Sequence, residues 1–306
     1  MKAGGGGDRP LRRKLVKLAC QILLGRKRAH YHSWLPGLSI RERTDVTAGV
    51  AIFGGARLAL QKTEMLRRRA EGGVTIVGSG PSVREAPLER LPRQSALLLN
   101  GAVSLIGAGI ADPFAIAIED ERFVWRHFAM MAERIGRDMP CLFSPGVIRA
   151  IFDIDPDWLT GRNVILIDDI RKPYGAPRRS AEALSHLPFV RLNAAREAGF
   201  SLDPDRGVFQ GGSVAISALQ FVLSTGAPEI GFIGVDISNA AAPRFYERPG
   251  ETAYSGVADA ETRILAHIEL ANRIAEERGQ RLINHSPVSA LARIGLAYEP
   301  ITDRVS

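Results

Sequence analysis

From residue 74 onward, short apolar runs alternate with longer stretches in which apolar positions recur at helical spacing. Runs at 74–77, 96–99, 114–118, 140–143, 163–167, 230–235 and 281–284 read as strands buried on both faces. Between them, 122–135, 213–225 and 259–278 read as helices. The last opens at Asp259, carries Ile264, Leu265, Ile268, Ala271 and Ile274 on one face, and stops at Gly279. Such alternation predicts a mostly parallel sheet flanked by helices over 74–306. Residues 171–206, rich in Pro, Arg and Ala with weak periodicity, and 238–258 are expected to be a lid or insertions. Upstream, a helix is expected over Ala56–Ala70, ended by Gly72 and Gly73, within an N-terminal extension spanning 1–73.

The pattern of that extension differs. Leu11, Leu15, Leu18 and Ile22 form a helical stripe, interleaved with Arg9, Arg12, Arg13, Lys14, Lys17, Arg26, Lys27 and Arg28 and with no acidic residue across 9–28. The segment accounts for the whole net charge of +7. Location of the charge therefore argues against a nucleic-acid-binding domain and for a basic amphipathic helix that docks on an anionic membrane, with His30, Tyr31, Trp34 and Leu35 as downstream anchors. The alternative is that the stripe packs on the protein's own core. No apolar run is long enough to span a bilayer, and no secretory signal pattern is present. With only Cys20 and Cys141, neither a disulfide framework nor a thiolate metal site is expected. The expected setting is cytoplasmic, peripheral to the inner face of the membrane.

Two glycine motifs carry the chemistry. Gly78-Ser79-Gly80-Pro81-Ser82 follows the strand 74–77, where an open parallel sheet binds ligands. Glycines admit a phosphate or sugar to the backbone, and Ser79 and Ser82 can donate to it. Pro81 and Val83 interrupt a Gly-x-Gly-x-x-Gly pattern, and the next strand ends in Asn100 rather than a ribose-binding carboxylate, which argues against NAD. Asn100 suits a pyrimidine edge or ribose hydroxyls; alternatively it caps a helix over 101–107. The second motif, Gly211-Gly212-Ser213, opens an apolar helix whose N-terminus suits an anion. The strand after it ends in Asp236, either a ligand to the same crevice or a loop-ordering carboxylate. Asn239, Arg244, Phe245, Tyr246 and Tyr254 then supply a polar and aromatic loop suited to closing over a sugar phosphate.

The series Ile76-Val77-Gly78-Ser79-Gly80-Pro81-Ser82, Asn100, Gly211-Gly212-Ser213, Ile233-Gly234-Val235-Asp236 and Ser286-Pro287-Val288-Ser289 resembles glycosyltransferase family 42, the bacterial sialyltransferases, and related pterin-diphosphokinase-like proteins. The resemblance implies a Rossmann-like fold of a glycosyltransferase A-type variant and an inverting transferase that needs neither metal nor cofactor. It implies that Gly78–Ser82, Asn100 and Gly211–Ser213 hold a CMP-sugar beside Asp236, with Tyr246 or Tyr254 in place of the phosphate-binding tyrosines. Ser238 stands nearest the first tyrosine of the family pattern. The family's base is a His between the Asp strand and the last strand; His267 is the nearest here. Glu119 and Asp120 at the third strand's end are the carboxylate alternatives, and His127 and His285 further ones. The expected partners are a nucleotide-sugar donor and a glycan or lipid-linked acceptor such as lipopolysaccharide. An ATP- and Mg²⁺-dependent diphosphokinase and a non-catalytic nucleotide-binding protein are the competing readings, the former without a Lys in either glycine loop.

Overall fold

The computed structural model describes residues 9–41, 49–237 and 260–301. Its centre is a parallel run of strands β4 (Val74–Val77), β5 (Ala96–Leu99), β6 (Ala115–Ile118), β7 (Cys141–Phe143) and β8 (Val164–Leu166), laid side by side in chain order. On the other side of β4 lie β11 (Glu229–Ile233) and then β12 (Arg281–Asn284), both parallel to it. All four residues of β4, β5 and β6 are buried, as strands covered on both faces must be. Alternate residues serve two cores. Ile76, Leu97, Ala117 and Phe232 pack under α6 (Val214–Thr225) and α7 (Glu261–Glu277). Val77, Leu98, Ile116 and Phe143 pack under α3 (Glu121–Arg134) and α4 (Pro145–Ile154). The α/β architecture with a mostly parallel, helix-flanked sheet is thus as the periodicity implies.

The N-terminal residues depart from expectation. In place of a helix from Ala56, the chain forms β1 (Ser39–Arg41), β2 (Val50–Phe53) and β3 (Ala56–Gln61); the short helix α2 (Glu64–Arg67) follows. Leu58 and Leu60 are buried while Arg57 and Ala59, which alternate with them, are exposed, a period of two. Gly54 and Gly55, both at positive φ (54° and 90°), make the two-residue turn that a tight hairpin requires. β3 pairs in parallel with β8, so residues 39–61 extend the main sheet to ten strands among the described residues. Residues 171–206 hold α5 (Ala181–Ser185) and the antiparallel pair β9 (Val190–Leu192) and β10 (Gly199–Ser201). Ile170, Leu184, Val190 and Phe209 give this insertion a small core of its own. Residues 238–258, the other expected lid, lie outside the described residues.

Helix α1 (Leu11–Leu23) forms as the spacing predicts, but it is turned inside out. Its buried residues are Arg13 and Cys20, whereas Leu11, Leu15, Leu18 and Ile22 are exposed. The stripe therefore does not pack on the core. Trp34, expected at a membrane, is buried against the rings of Tyr31 and Tyr174.

Arg13 fixes the orientation of α1. Its guanidinium donates to the carbonyls of Leu35 (2.8 Å) and His32 and to the Glu121 carboxylate (3.4 Å). Arg13 is 1% and Glu121 4% exposed, so removing one partner strands a charge. Arg13→Ala is expected to destabilise the protein by about 3–5 kcal/mol in denaturant unfolding. Arg13→Lys, which cannot serve three acceptors spread around a planar fork, should recover only part of that loss.

Candidate functional site

The strand order reverses between β4 and β11, and ligands of open parallel sheets bind at such a point, beyond the carboxyl ends of the strands. Here the two strand ends are pressed together. Gly78 N–H donates to the Ile233 carbonyl (2.7 Å) and Gly80 N–H to that of Gly234 (2.9 Å). A Cβ on Gly78 would lie 2.3 Å from the Gly234 oxygen, and one on Gly80 2.4 Å from the Asp236 carboxylate. Close approach of the protein's own backbone thus already requires both glycines. Asp236 accepts from Ser82 N–H (2.8 Å) and from the Ser82 hydroxyl (2.6 Å), which is the loop-ordering role. The Ser286 hydroxyl lies 3.1 Å from Ser82 Oγ and accepts from Gly234 N–H (2.9 Å), tying β12 into the same knot. Ser79, Gly80, Pro81 and Ser82 remain partly accessible along the rim.

Asn100, at the end of β5, is the strained residue of the site. It is one of three non-glycine residues at positive φ (45°) among those described. Its side chain caps nothing: a 3₁₀ turn, not an α-helix, follows, and Oδ1 is sealed from solvent without a hydrogen-bond partner. A left-handed non-glycine costs on the order of 1 kcal/mol, and an unpaired buried polar atom costs about 1–3 kcal/mol. The second cost is recovered if the amide turns to meet a bound ligand that supplies the donor.

A cavity of about 360 Å³ opens beyond the carboxyl ends of β6, β7 and β8. Glu119 and Asp120 come from the first strand end, Ser144 from the second, Asp168 and Asp169 from the third, and Gln210 from the turn before α6. Arg9, His30, His32 and Trp34 close it from the N-terminal segment. Asp120 caps α3 through Arg122 N–H (2.9 Å) and pairs with the Arg122 guanidinium (2.5 Å), while a third of its side chain stays accessible. Asp168 accepts from Tyr174 N–H (3.0 Å), and Lys172 stands 3.7 Å from Asp169. Burial pushes the Glu119 carboxyl up to about 8; the Ser217 hydroxyl opposes the shift, and the charges of Asp169 and Asp120 add to it. Glu119 Oε1 and Ser217 Oγ are both buried without a hydrogen bond of good geometry. Burial likewise depresses His32 to about 4, helped by the cations Lys17, Arg9 and Arg13.

The second glycine motif serves α6 and its neighbour α7. Gly211 and Gly212 adopt φ of 57° and 99°, and Ser213 caps α6 by accepting from Ala215 N–H (3.3 Å). His267 sits behind this turn, within 3.1 Å of where a Gly211 Cβ would fall, and does not line the cavity. It is 2% exposed; Nδ1 donates to the Arg263 carbonyl (2.7 Å) and Nε2 is sealed without a partner. Burial, then the charges of Arg171 and Arg263, lower it to about 4, against the pull of its bond to the Arg263 carbonyl. His127 packs its ring at a tilt against Phe123 within α3, and His285 binds the Glu299 carbonyl (2.6 Å) beside a separate cavity of about 150 Å³. Asn239, Arg244, Phe245, Tyr246 and Tyr254 lie outside the described residues.

The cavity thus gathers the candidates Glu119 and Asp120 with residues that the sequence does not single out for the site: Asp168, Asp169, Lys172, Gln210, Arg9, His30 and His32. The aspartates follow an apolar run as Asp236 does, so the strand-end rule would have found them. The N-terminal residues arrive by tertiary packing alone. Among the described residues no group of three His, Cys, Asp or Glu is arranged to hold a metal ion.

No family model and no curated protein matches the sequence. Solved structures do. The sialyltransferase CstII from Campylobacter jejuni, in complex with the substrate analogue CMP-3FNeuAc, matches with a TM-score of 0.37 and 13% identity over 75% of this chain and 86% of that one. The sialyltransferase CST-II in complex with a trisaccharide acceptor and CMP matches with a TM-score of 0.39 and 12% identity over 76% and 88%.

Glu119 makes stability depend on pH in a definite direction. Its folded value of about 8 lies above the ordinary 4.5, so between these limits the folded protein keeps a proton that the unfolded chain has released. That stabilisation is complete below 4.5 and is lost as the pH rises through about 8. Glu119→Gln, neutral at every pH, should melt close to the native protein at acid pH and increasingly above it through pH 8, as read by thermal unfolding across the range.

Proposed function

We propose that this chain is an inverting, metal-independent glycosyltransferase. It moves an acidic sugar, a sialic acid or a Kdo-like ulosonic acid, from a CMP-sugar to a membrane-held glycan or lipopolysaccharide acceptor. The observation that carries the reading is Asn100. Asn100, partly exposed and at positive φ, stands at the end of β5 between the Gly78–Ser82 turn and the cavity at the ends of β6–β8, and a turn of its amide brings the unpaired oxygen to the ligand side. An unpaired acceptor there suits the exocyclic amine of a cytosine or a ribose hydroxyl. The order of motifs that resembles the bacterial sialyltransferases supports the same assignment.

In this arrangement the nucleotide lies along the rim from Ser79 to Asn100, with its phosphate toward the Gly211–Ser213 turn and the N-terminus of α6. The acceptor occupies the cavity. Its hydroxyl oxygen bonds to the anomeric carbon as the bond to the CMP phosphate oxygen breaks, CMP leaves with the electron pair, and the hydroxyl proton passes to a base. Asp120, accessible in the cavity and oriented by Arg122, is better placed for that proton than His267, whose Nε2 is sealed behind the glycine turn. Tyr246 and Tyr254 keep their proposed place at the donor phosphate.

The rival is an ATP-dependent phosphotransferase. One observation favours it: Lys172 lines the cavity and supplies the cation that neither glycine loop carries.

A thermal-shift panel of CMP, CDP, UDP, ADP, ATP and NAD, with and without Mg²⁺, separates the two. CMP at a hundredfold excess over its Kd should stabilise the protein by about 2.7 kcal/mol, a shift of several degrees, with no need for Mg²⁺. Asn100→Gly should leave the unliganded protein at least as stable, because glycine tolerates positive φ, yet remove the CMP response. A response to ATP and Mg²⁺ alone would replace the transferase with the phosphotransferase.

A further inference from the structure

An amphipathic helix on a globular protein ordinarily buries its apolar stripe and exposes its charges. In α1 the arrangement is reversed. At 100° per residue Leu11, Leu15, Leu18 and Ile22 fall within one narrow sector, and they are 72%, 58%, 52% and 69% exposed. Arg13 and Cys20, on the opposite side, face the protein. Beyond the stripe the exposed apolar surface runs on through Leu23 and Leu24 to Gly25 and the exposed Arg26, Lys27 and Arg28.

Three ion pairs hold the helix in this pose. Arg9 Nε meets Glu121 Oε1 at 2.5 Å, Arg12 meets Asp153 at 2.7 Å, and the buried Arg13 meets Glu121 and two backbone carbonyls. Glu121 itself opens α3, so the anchor is continuous with the main fold. The outward stripe is therefore a fixed feature of the folded protein.

We infer that α1 is an interfacial helix by which the protein docks reversibly on an anionic lipid bilayer. The occupant follows from the two chemistries that the surface combines. A row of large aliphatic side chains matches the boundary between headgroups and acyl chains, and the flanking Lys14, Arg26, Lys27 and Arg28 match lipid phosphates. Nucleic acid would use the cations and leave the leucines in water. A second copy of the chain would cover the leucines and bring two cationic rims together. A 13-residue helix is about 20 Å long and lies in the plane of the surface. No helix among the described residues is long and apolar enough to cross a membrane.

Docking of this kind has a consequence for the cavity. Arg9, at the start of the same segment, is part of the cavity wall together with His32 and Ser33. Membrane contact through α1 thus holds that wall one helix diameter, roughly 10 Å, from the bilayer, within reach of the headgroup of a lipid-linked acceptor. This placement of the acceptor rests on the transferase reading; the docking does not.

The test is co-sedimentation of the full chain with vesicles of phosphatidylcholine, alone and mixed with phosphatidylglycerol. Binding is expected on the anionic vesicles, to weaken with added salt, and to be slight on phosphatidylcholine alone. The double variant Leu15→Glu and Leu18→Glu should lose at least about tenfold in vesicle affinity. Its melting temperature and its response to CMP should not change, since both positions face solvent. Absence of sedimentation on anionic vesicles, equal sedimentation of the double variant, or a concentration-dependent dimer that the variant breaks without any vesicle binding would each overturn the inference. So would vesicle-independent binding of duplex DNA through the same residues. Vesicle binding without a CMP response would overturn the transferase and leave the docking standing.

Discussion

The close approach of two backbones at the β4–β11 seam is the constraint on which the rest of the site depends. Gly78 and Gly234 face each other so tightly that a Cβ on either meets an atom: 2.3 Å to the Gly234 oxygen from the first, 2.2 Å to Val83 Cγ2 from the second. Asp236 then locks the turn by holding both the amide and the hydroxyl of Ser82, and Ser286 closes the loop from β12. Three strand ends from distant parts of the sequence become one rigid rim. The glycines therefore have a structural reason to be glycines whatever ligand the rim receives, and the burden of recognition shifts to Asn100, whose amide oxygen the protein itself leaves unpaired.

A second constraint runs through Glu121. As the first residue of α3 it receives Arg9 and Arg13 from the N-terminal helix, and so couples that helix to the wall of the cavity. A buried charge pair of this kind adds little net stability compared with a well-packed apolar pair, but it admits one geometry where apolar packing admits several. Here that geometry turns the leucines outward. The cavity beneath is rich in carboxylates that are mostly engaged: Asp120 with Arg122, Asp168 with Tyr174, and Asp169 with Lys172. Glu119 stands apart, desolvated beside two like charges and held in its neutral form near neutral pH.

Much of the fold was legible in the sequence, and the reason is local. Strands buried on both faces must read as unbroken apolar runs, so β4, β5, β6 and β12 could be placed to within a residue. α3, α6 and α7 carry a helical period or a glycine-led start and stop, which places the first two to within a residue and α7 to within two. β3 reads as a helix in the sequence because Ala and Leu in Ala56–Gln61 suit either structure, and only its alternating burial beside β8 distinguishes them. α4 is not among the helices expected from the sequence; it is only ten residues long and opens on Pro145 and Gly146, and eight of its ten residues are buried.

For the site, the sequence by itself determined which residues stand at strand ends: the first glycine turn, Asn100, Asp120 and Asp236 are all where the strand-end rule puts them. It also determined that the basic segment 9–28 carries a helix with an apolar stripe, which spans Leu11–Leu23. Tertiary structure alone decided what those residues do. It engaged Asp236 with Ser82, sealed His267 behind Gly211, left Asn100 unpaired, and assembled the cavity from strand ends and an N-terminal segment distant from them in sequence. The physical reason is that periodicity records whether a position is buried, whereas partnership between polar groups depends on contacts across the sheet. Which way α1 faces was decided in the same manner, by one buried arginine whose partner lies at residue 121.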